Sequence, residues 1–225
     1  MTTTKTASKN IIELVFILDR SGSMAGLTAD TIGGFNAMIE KQKKTDGSVL
    51  VSTILFDHEC MVLHDRVPLS TIPPMTENDY TPRGSTALFD AVGSAIHHIG
   101  TIHKYARHED VPTKTLFVIT TDGMENASRQ YSREKVKSMI ERQTARFGWE
   151  FLFLGANIDA AETAESIGIR SDHAADFIAD AGGTQKNYNA VSDAVTQIRA
   201  CAPLNNNWRR ELDRDFNMRK RTSHK

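Results

Sequence analysis

Side chains with hard oxygen donors gather in three short segments. Asp19-Arg-Ser-Gly-Ser23 sets a carboxylate and two hydroxyls at alternate positions. Thr86 follows Gly84-Ser85, and Asp122 precedes Gly123. The set holds carboxylates and hydroxyls and neither Cys nor His, a composition that selects Mg²⁺, Mn²⁺ or Ca²⁺ over zinc or copper. Alternate spacing lets one turn present successive oxygens to a common centre. Gly22 allows a tight backbone there, and Gly84 a close approach of its own loop. Neutral hydroxyls fill coordination positions without adding negative charge. An ion so held stays electrophilic, and a position occupied by water can accept a carboxylate from a partner.

The elements that must bring these segments together can be read from periodicity. The near-continuous apolar run over 11–18 is short and β-branched, which fits a buried central strand ending at Asp19. Ile32, Phe35, Met38 and Ile39 recur at helical spacing over 28–44. A second strand over 49–56 turns at Asp57-His58 into a third over 59–63, and so tight a connection requires an antiparallel pair. A Pro-rich loop leads to Thr86 and to a helix carrying Leu88, Val92, Ile96 and Ile99. Strands over 114–121, 149–154 and 175–179 alternate with helices capped at Ser132 and lying over 160–167 and 186–200. This alternation predicts a Rossmann-like, doubly wound α/β sheet of about six strands with helices on both faces. The expected order is 3-2-1-4-5-6, with strand three antiparallel at the edge. Strands one and four are then neighbours, and the oxygen-bearing segments meet outside their carboxyl ends, where open α/β sheets bind ligands.

A chain of 225 residues suits one domain with extensions. The expected division is a flexible N-terminus over 1–10, the domain over 11–203, and a polar, locally basic tail over 204–225, read as a solvated terminus. Net charge is −1, so nucleic acid is not an expected partner of the whole molecule. The two cysteines, Cys60 and Cys201, are far apart and make neither a metal spacing nor a disulfide framework. With no signal-like apolar core at the start and no run approaching the roughly 20 residues of a membrane span, the cytoplasm is the expected location.

Asp19-Arg-Ser-Gly-Ser-Met24, Thr86 in Gly84-Ser-Thr-Ala-Leu-Phe-Asp90, and Asp122 in Thr120-Thr-Asp-Gly123 together resemble the metal-ion-dependent adhesion site of the von Willebrand factor A family. Asp19, Ser21, Ser23, Thr86 and Asp122 match its ligand positions in type and order, and the resemblance covers roughly residues 11 to 200. Gly34-Phe-Asn36 and Phe153-Leu-Gly-Ala-Asn-Ile-Asp159 also look like stand-alone bacterial or phage members. The resemblance implies that Ser21, Ser23 and Thr86 bind the ion directly, and Asp19 and Asp122 directly or through water. It further implies a non-enzymatic module that captures an Asp or Glu of a protein partner through Mg²⁺ or Mn²⁺.

Two other functions use the same residues. A metal-dependent hydrolase such as a phosphatase could hold Mg²⁺ at strand ends. The aspartyl-nucleophile type, however, places a second Asp two residues after the first, where this chain has Ser21. A regulatory subunit could use the metal for folding alone. Glu125, Asn126, Asp30 and Asp57 are expected in surface and turn roles. His97, His98 and His103 do not have metal-ligand spacing, and no GxxxxGK[ST] occurs.

Overall fold

Along the first strand, β1 (Ile11–Asp19), side chains alternate between two cores. Ile12, Leu14, Phe16 and Leu18 enter one hydrophobic cluster, while Val15 and Ile17 enter the other. A strand apolar on both faces belongs inside a parallel sheet clothed on each side. The structure is a computed structural model that describes residues 10–222. In it β2 (Ser48–Phe56), β3 (Cys60–Pro68), β4 (Lys114–Thr121), β5 (Glu150–Ala156) and β6 (Ala174–Phe177) join β1 in one six-stranded sheet. The order is β3-β2-β1-β4-β5-β6, and every neighbouring pair is parallel except β2–β3. The predicted order and antiparallel edge are both present.

Helices α1 (Thr28–Lys43) and α5 (Ala181–Arg199) cover one face and contribute Phe35, Met38, Ile39, Val191 and Val195 to its core. They pack closely where Gly34 meets the Tyr188 ring, and a Cβ at Gly34 would lie 2.3 Å from Tyr188 Cδ2. Helices α2 (Leu88–Tyr105), α3 (Arg133–Phe147) and α4 (Ala160–Ser166) cover the other face, with Leu88, Val92, Ile96, Val136 and Ile140 inward. Helix α5 starts five residues before the expected 186, because Asp180 caps it by accepting from the Gly183 amide at 2.7 Å. Gly182-Gly183 reads as a breaker in sequence, yet no side chain fits at Gly183, whose Cβ would lie 2.0 Å from the Ile178 carbonyl oxygen. No helix among the described residues is long and apolar enough to cross a membrane.

Strand β3 runs to Pro68 rather than ending at residue 63. Its second half is polar because it answers buried groups beneath it. His64 Nδ1 lies 3.0 Å from Thr53 Oγ1, and Arg66 Nε lies 2.6 Å from Glu13 Oε1. Glu13 is fully buried in β1 and also meets His103 Nε2 of α2 at 2.6 Å. The pairing with β2 is irregular between Val51 and Ile54, and Arg66 adopts φ 51°. An irregular, charge-bearing edge resists pairing with another chain.

The tail departs most from expectation. Residues 204–222 are not a solvated extension: a turn at Asn206–Arg209 leads into α6 (Arg210–Thr222), packed on α5 and β6, while residues 223–225 lie outside the described residues. Trp208 and Leu212 are 2% and 1% exposed and complete the α1/α5 core. Much of the basic character is spent on internal pairs. Asp215 takes both Lys186 and Arg219, Arg219 reaches Asp180 at 2.6 Å, and Arg209 donates to the carbonyls of Ser171 and Ala174. A short edge strand such as β6 needs a cover, and α6 supplies it. Residues 1–9 of the expected flexible N-terminus lie outside the described residues. Losing a fully buried Trp costs about 3–5 kcal/mol, and each kcal/mol is worth roughly 2–4 °C in a chain of this size. Trp208→Ala should therefore lower the melting temperature by about 10 °C. Removal of 204–225 should lower it at least as far. Thermal melts followed by circular dichroism check both, and unchanged melts would mean that α6 does not support the domain.

Candidate metal centre

Because β1 and β4 are parallel neighbours, with Leu18 opposite Thr120, their carboxyl ends deliver Asp19 and Asp122 side by side. The loop before α2 closes over them. Gly22 N donates to Gly84 O at 3.1 Å, and the Arg83 amide to Arg20 O at 2.8 Å, which ties this loop to the turn after β1. Gly84 has φ 65°, and any Cβ there would lie 2.1 Å from His58 Nδ1, so the close approach requires glycine.

The expected oxygens converge. Ser21 Oγ and Ser23 Oγ are 3.1 Å apart, and Ser23 Oγ donates to Asp122 Oδ1 at 2.5 Å. A Cβ at Gly123 would lie 3.7 Å from Thr86 Oγ1 and 3.8 Å from Ser23 Oγ, which brings Thr86 to the same point. Asp19 Oδ1 accepts from the Ser21 amide at 2.6 Å, and its Oδ2 from Thr121 Oγ1 at 2.5 Å. Asp19, Ser21, Thr86 and Asp122 are all under 5% exposed, and Ser23 faces solvent. Burial raises the Asp19 carboxyl above the usual carboxylate range; bonds from Thr121 and Ser21 oppose the rise, and the charge on Asp122 adds to it. Burial also raises Asp122, against the hydrogen bond from Ser23.

Neither carboxylate has a cationic side chain within ion-pair distance among the described residues, unlike the fully buried Asp57 and Glu13. Asp57, expected as an ordinary turn residue, is fully buried and takes Arg20 at 3.0 Å and Arg83 at 2.9 Å. Although Asp57, His58 and Glu59 lie close together, Asp57 is thus already neutralised. Asp30 sits half-buried in the first turn of α1.

Several supporting residues escape sequence reading. Tyr80, fully buried in the Pro-rich loop, donates its hydroxyl to the Asp19 carbonyl and anchors the end of β1; no spacing marks it. Glu125 and Asn126 are more than a solvated turn, although Asn126 is exposed. Glu125 accepts from the amides of Phe89, Ala127 and Ser128, and Asn126 Oδ1 accepts from the Thr86 amide at 3.0 Å. Asp90 accepts from the amides of Arg129, Gln130 and Tyr131, each at 2.8 Å. These acids staple the segment after Asp122 to the start of α2, so Thr86 and Asp122 move as one unit. Among the histidines, His98 pairs with Asp65 and His103 with Glu13.

No protein-family model and no curated protein matches the chain. Solved structures do. The chain is similar to the vWF domain of the type V pili tip protein Mfa5 from Porphyromonas gingivalis, at 12% identity over 84% of this chain and 96% of that one, TM-score 0.60. It is similar to the manganese-loaded TRAP protein of Plasmodium vivax, at 17% identity over 80% and 72%, TM-score 0.54. It is also similar to proximal thread matrix protein 1 of the mussel byssus, at 14% identity over 84% and 46%, TM-score 0.57. The chain thus spans less than half the length of that mussel protein, which has also been solved with a zinc-occupied MIDAS motif. The fold is that of a von Willebrand factor A domain.

Asp90 is the acceptor that holds the 129–131 backbone, so Asp90→Ala should release it. Amide hydrogen exchange at Arg129, Gln130 and Tyr131 should quicken by about tenfold or more, with the core strands unchanged. Residue-resolved exchange checks this, and unaltered protection would remove Asp90 from its supporting role.

Proposed function

We propose that Asp19, Ser21, Ser23, Thr86 and Asp122 hold a divalent cation, Mg²⁺ or Mn²⁺ with Ca²⁺ admissible, and that the site captures an Asp or Glu carboxylate of a protein partner. The observation that carries this reading is the pair of buried carboxylates with no cationic side chain in ion-pair range among the described residues. A fold that desolvates two acids at adjacent strand ends, while giving Glu13 and Asp57 arginines, has a charge deficit that a dication would offset. The donor set fits such an ion, since every contributing atom is a hard oxygen. When bound, the ion supplies a Lewis-acidic coordination position open to a partner's carboxylate.

The chain's own residues then divide the work. Asp19 and Asp122 supply the negative charge. Ser21, Ser23 and Thr86 supply oxygen without charge, which keeps the centre attractive to an incoming anion. Thr121, Tyr80 and Asn126 hold these groups in place. Manganese and zinc in two of the similar structures support a metal-dependent reading. A phosphatase reading is the weaker one: Ser21 stands where the aspartyl-nucleophile type places its second Asp, and the nearby cations Arg20 and Arg83 are committed to Asp57.

Calorimetric titration with Mn²⁺ should give one binding event in the wild type and none in folded Asp19→Ala, since that variant loses one of the two charges. Asp122→Asn keeps the acceptor for Ser23 but removes a charge that burial disfavours. It should melt a few degrees higher than wild type in chelator and lose the Mn²⁺-dependent rise in melting temperature. Equal Mn²⁺ affinity in wild type and folded Asp19→Ala would refute the ligand assignment. Retention of a captured partner after chelation would refute the capture mechanism and leave the metal a structural role.

A further inference from the structure

At the end of the sheet remote from the metal centre, the C-terminal halves of α2 and α3 part to leave a cavity of about 610 Å³. That volume is ligand-sized. Its floor is apolar and rigid. Ile96 and Trp149 are 1% and 4% exposed. The Trp149 ring stacks on Phe117 at 5.2 Å and meets His103 edge-on at 5.2 Å, while His103 is itself held by Glu13. Gly100 keeps the space open, since a Cβ there would lie 3.2 Å from Gln143 Nε2. Phe147 stands at the mouth, 59% exposed, an apolar ring with little to cover it.

Two polar features point to the occupant. Gln143 lines the cavity, and its Oε1 is buried and accepts no hydrogen bond among the described residues. Burying an acceptor unpaired costs about 1–3 kcal/mol, so a donor is wanted there. The mouth, in turn, is cationic: Lys104 and Arg142 line it, no carboxylate does, and neither forms an ion pair among the described residues. The acids of the adjoining turn, Glu109 and Asp110, are taken up by Arg107. Helix C-termini favour basic residues in general. That preference explains Lys104 in the last turn of α2 but not Arg142, which precedes the last turn of α3. It does not explain an apolar chamber beneath them or a buried acceptor without a donor.

We propose that this cavity is a binding site for an amphipathic organic anion: an aromatic body carrying one acidic head group and one N–H or O–H donor. The body lies against Trp149 and under Phe147, the donor meets Gln143 Oε1, and the head group lies between Lys104 and Arg142. The site shares no residue with the metal centre, so its occupancy is independent of the divalent ion.

The probe is 8-anilinonaphthalene-1-sulfonate, which has an aromatic body, a sulfonate and an N–H. Titrated into the full chain, it should give saturable one-to-one fluorescence with energy transfer from tryptophan, unchanged by chelator. Lys104→Glu with Arg142→Glu changes only exposed side chains. This pair should leave the melting temperature within a few degrees and weaken binding by about tenfold or more. Gln143→Leu should weaken it less. The uncharged analogue N-phenyl-1-naphthylamine should bind wild type and the charge-reversed protein alike. Absence of saturable binding, or affinity unmoved by both the charge reversal and Gln143→Leu, would overturn the proposal. Dependence on the metal would overturn it as well.

Discussion

Two carboxylates, Asp19 and Asp122, are desolvated at the ends of adjacent parallel strands, with no cationic side chain in ion-pair range among the described residues. Much of the upper half of the molecule is arranged around that unfavourable pairing. Hydroxyls from Thr121 and Ser23 donate to the acids, each at 2.5 Å, and the Ser21 amide donates at 2.6 Å. Such bonds favour the charged forms, but burial outweighs them and both groups are shifted upward. On the proposed reading, a dication would repay desolvation already incurred by the fold.

The surrounding loops keep the oxygens from relaxing apart. The Gly22–Gly84 backbone bond and the Arg83–Arg20 bond join the turn after β1 to the loop before α2. Asp57 draws Arg20 and Arg83 together from below, so these arginines cannot swing toward Asp19 and neutralise it. Glu125, Asn126 and Asp90 bind the segment after Asp122 to α2. The acids in this region therefore have distinct tasks. Asp57 is held by two arginines, and Asp90 and Glu125 by backbone amides that tie segments together, whereas Asp19 and Asp122 lie next to one another with only hydroxyl and amide donors.

The two ends of the sheet have opposite character. The carboxyl end gathers anionic oxygens, and the other end carries cations without an ion pair among the described residues over an apolar chamber. Between them β1 passes through both cores, and its buried Glu13 joins Arg66 of the edge strand to His103 of α2. That cluster fixes the irregular second half of β3 and the floor of the chamber together. Two surfaces about one strand length apart are thus built on the same rigid element without sharing a side chain.

Local pattern was enough to read the sheet order and the positions of the oxygen donors. Alternation in β1 marks a strand buried on both faces, and the tight Asp57-His58 turn dictates an antiparallel edge. The type and spacing of Asp19, Ser21 and Ser23 already define a hard-oxygen site. What the chain alone could not reveal is which charges would be compensated. Ser23 meets Asp122 across 99 positions, and Thr121 meets Asp19 across 102. In the same way, Trp208 and Leu212 look like isolated apolar residues in a basic tail until β6 and α5 offer them a face to cover. Periodicity records which way a side chain points. Desolvation and pairing are properties of contacts between segments distant in sequence, so only the tertiary structure decided that Asp57 would be paired with arginines, that Asp19 and Asp122 would be buried together without such partners among the described residues, and that the tail would belong to the core.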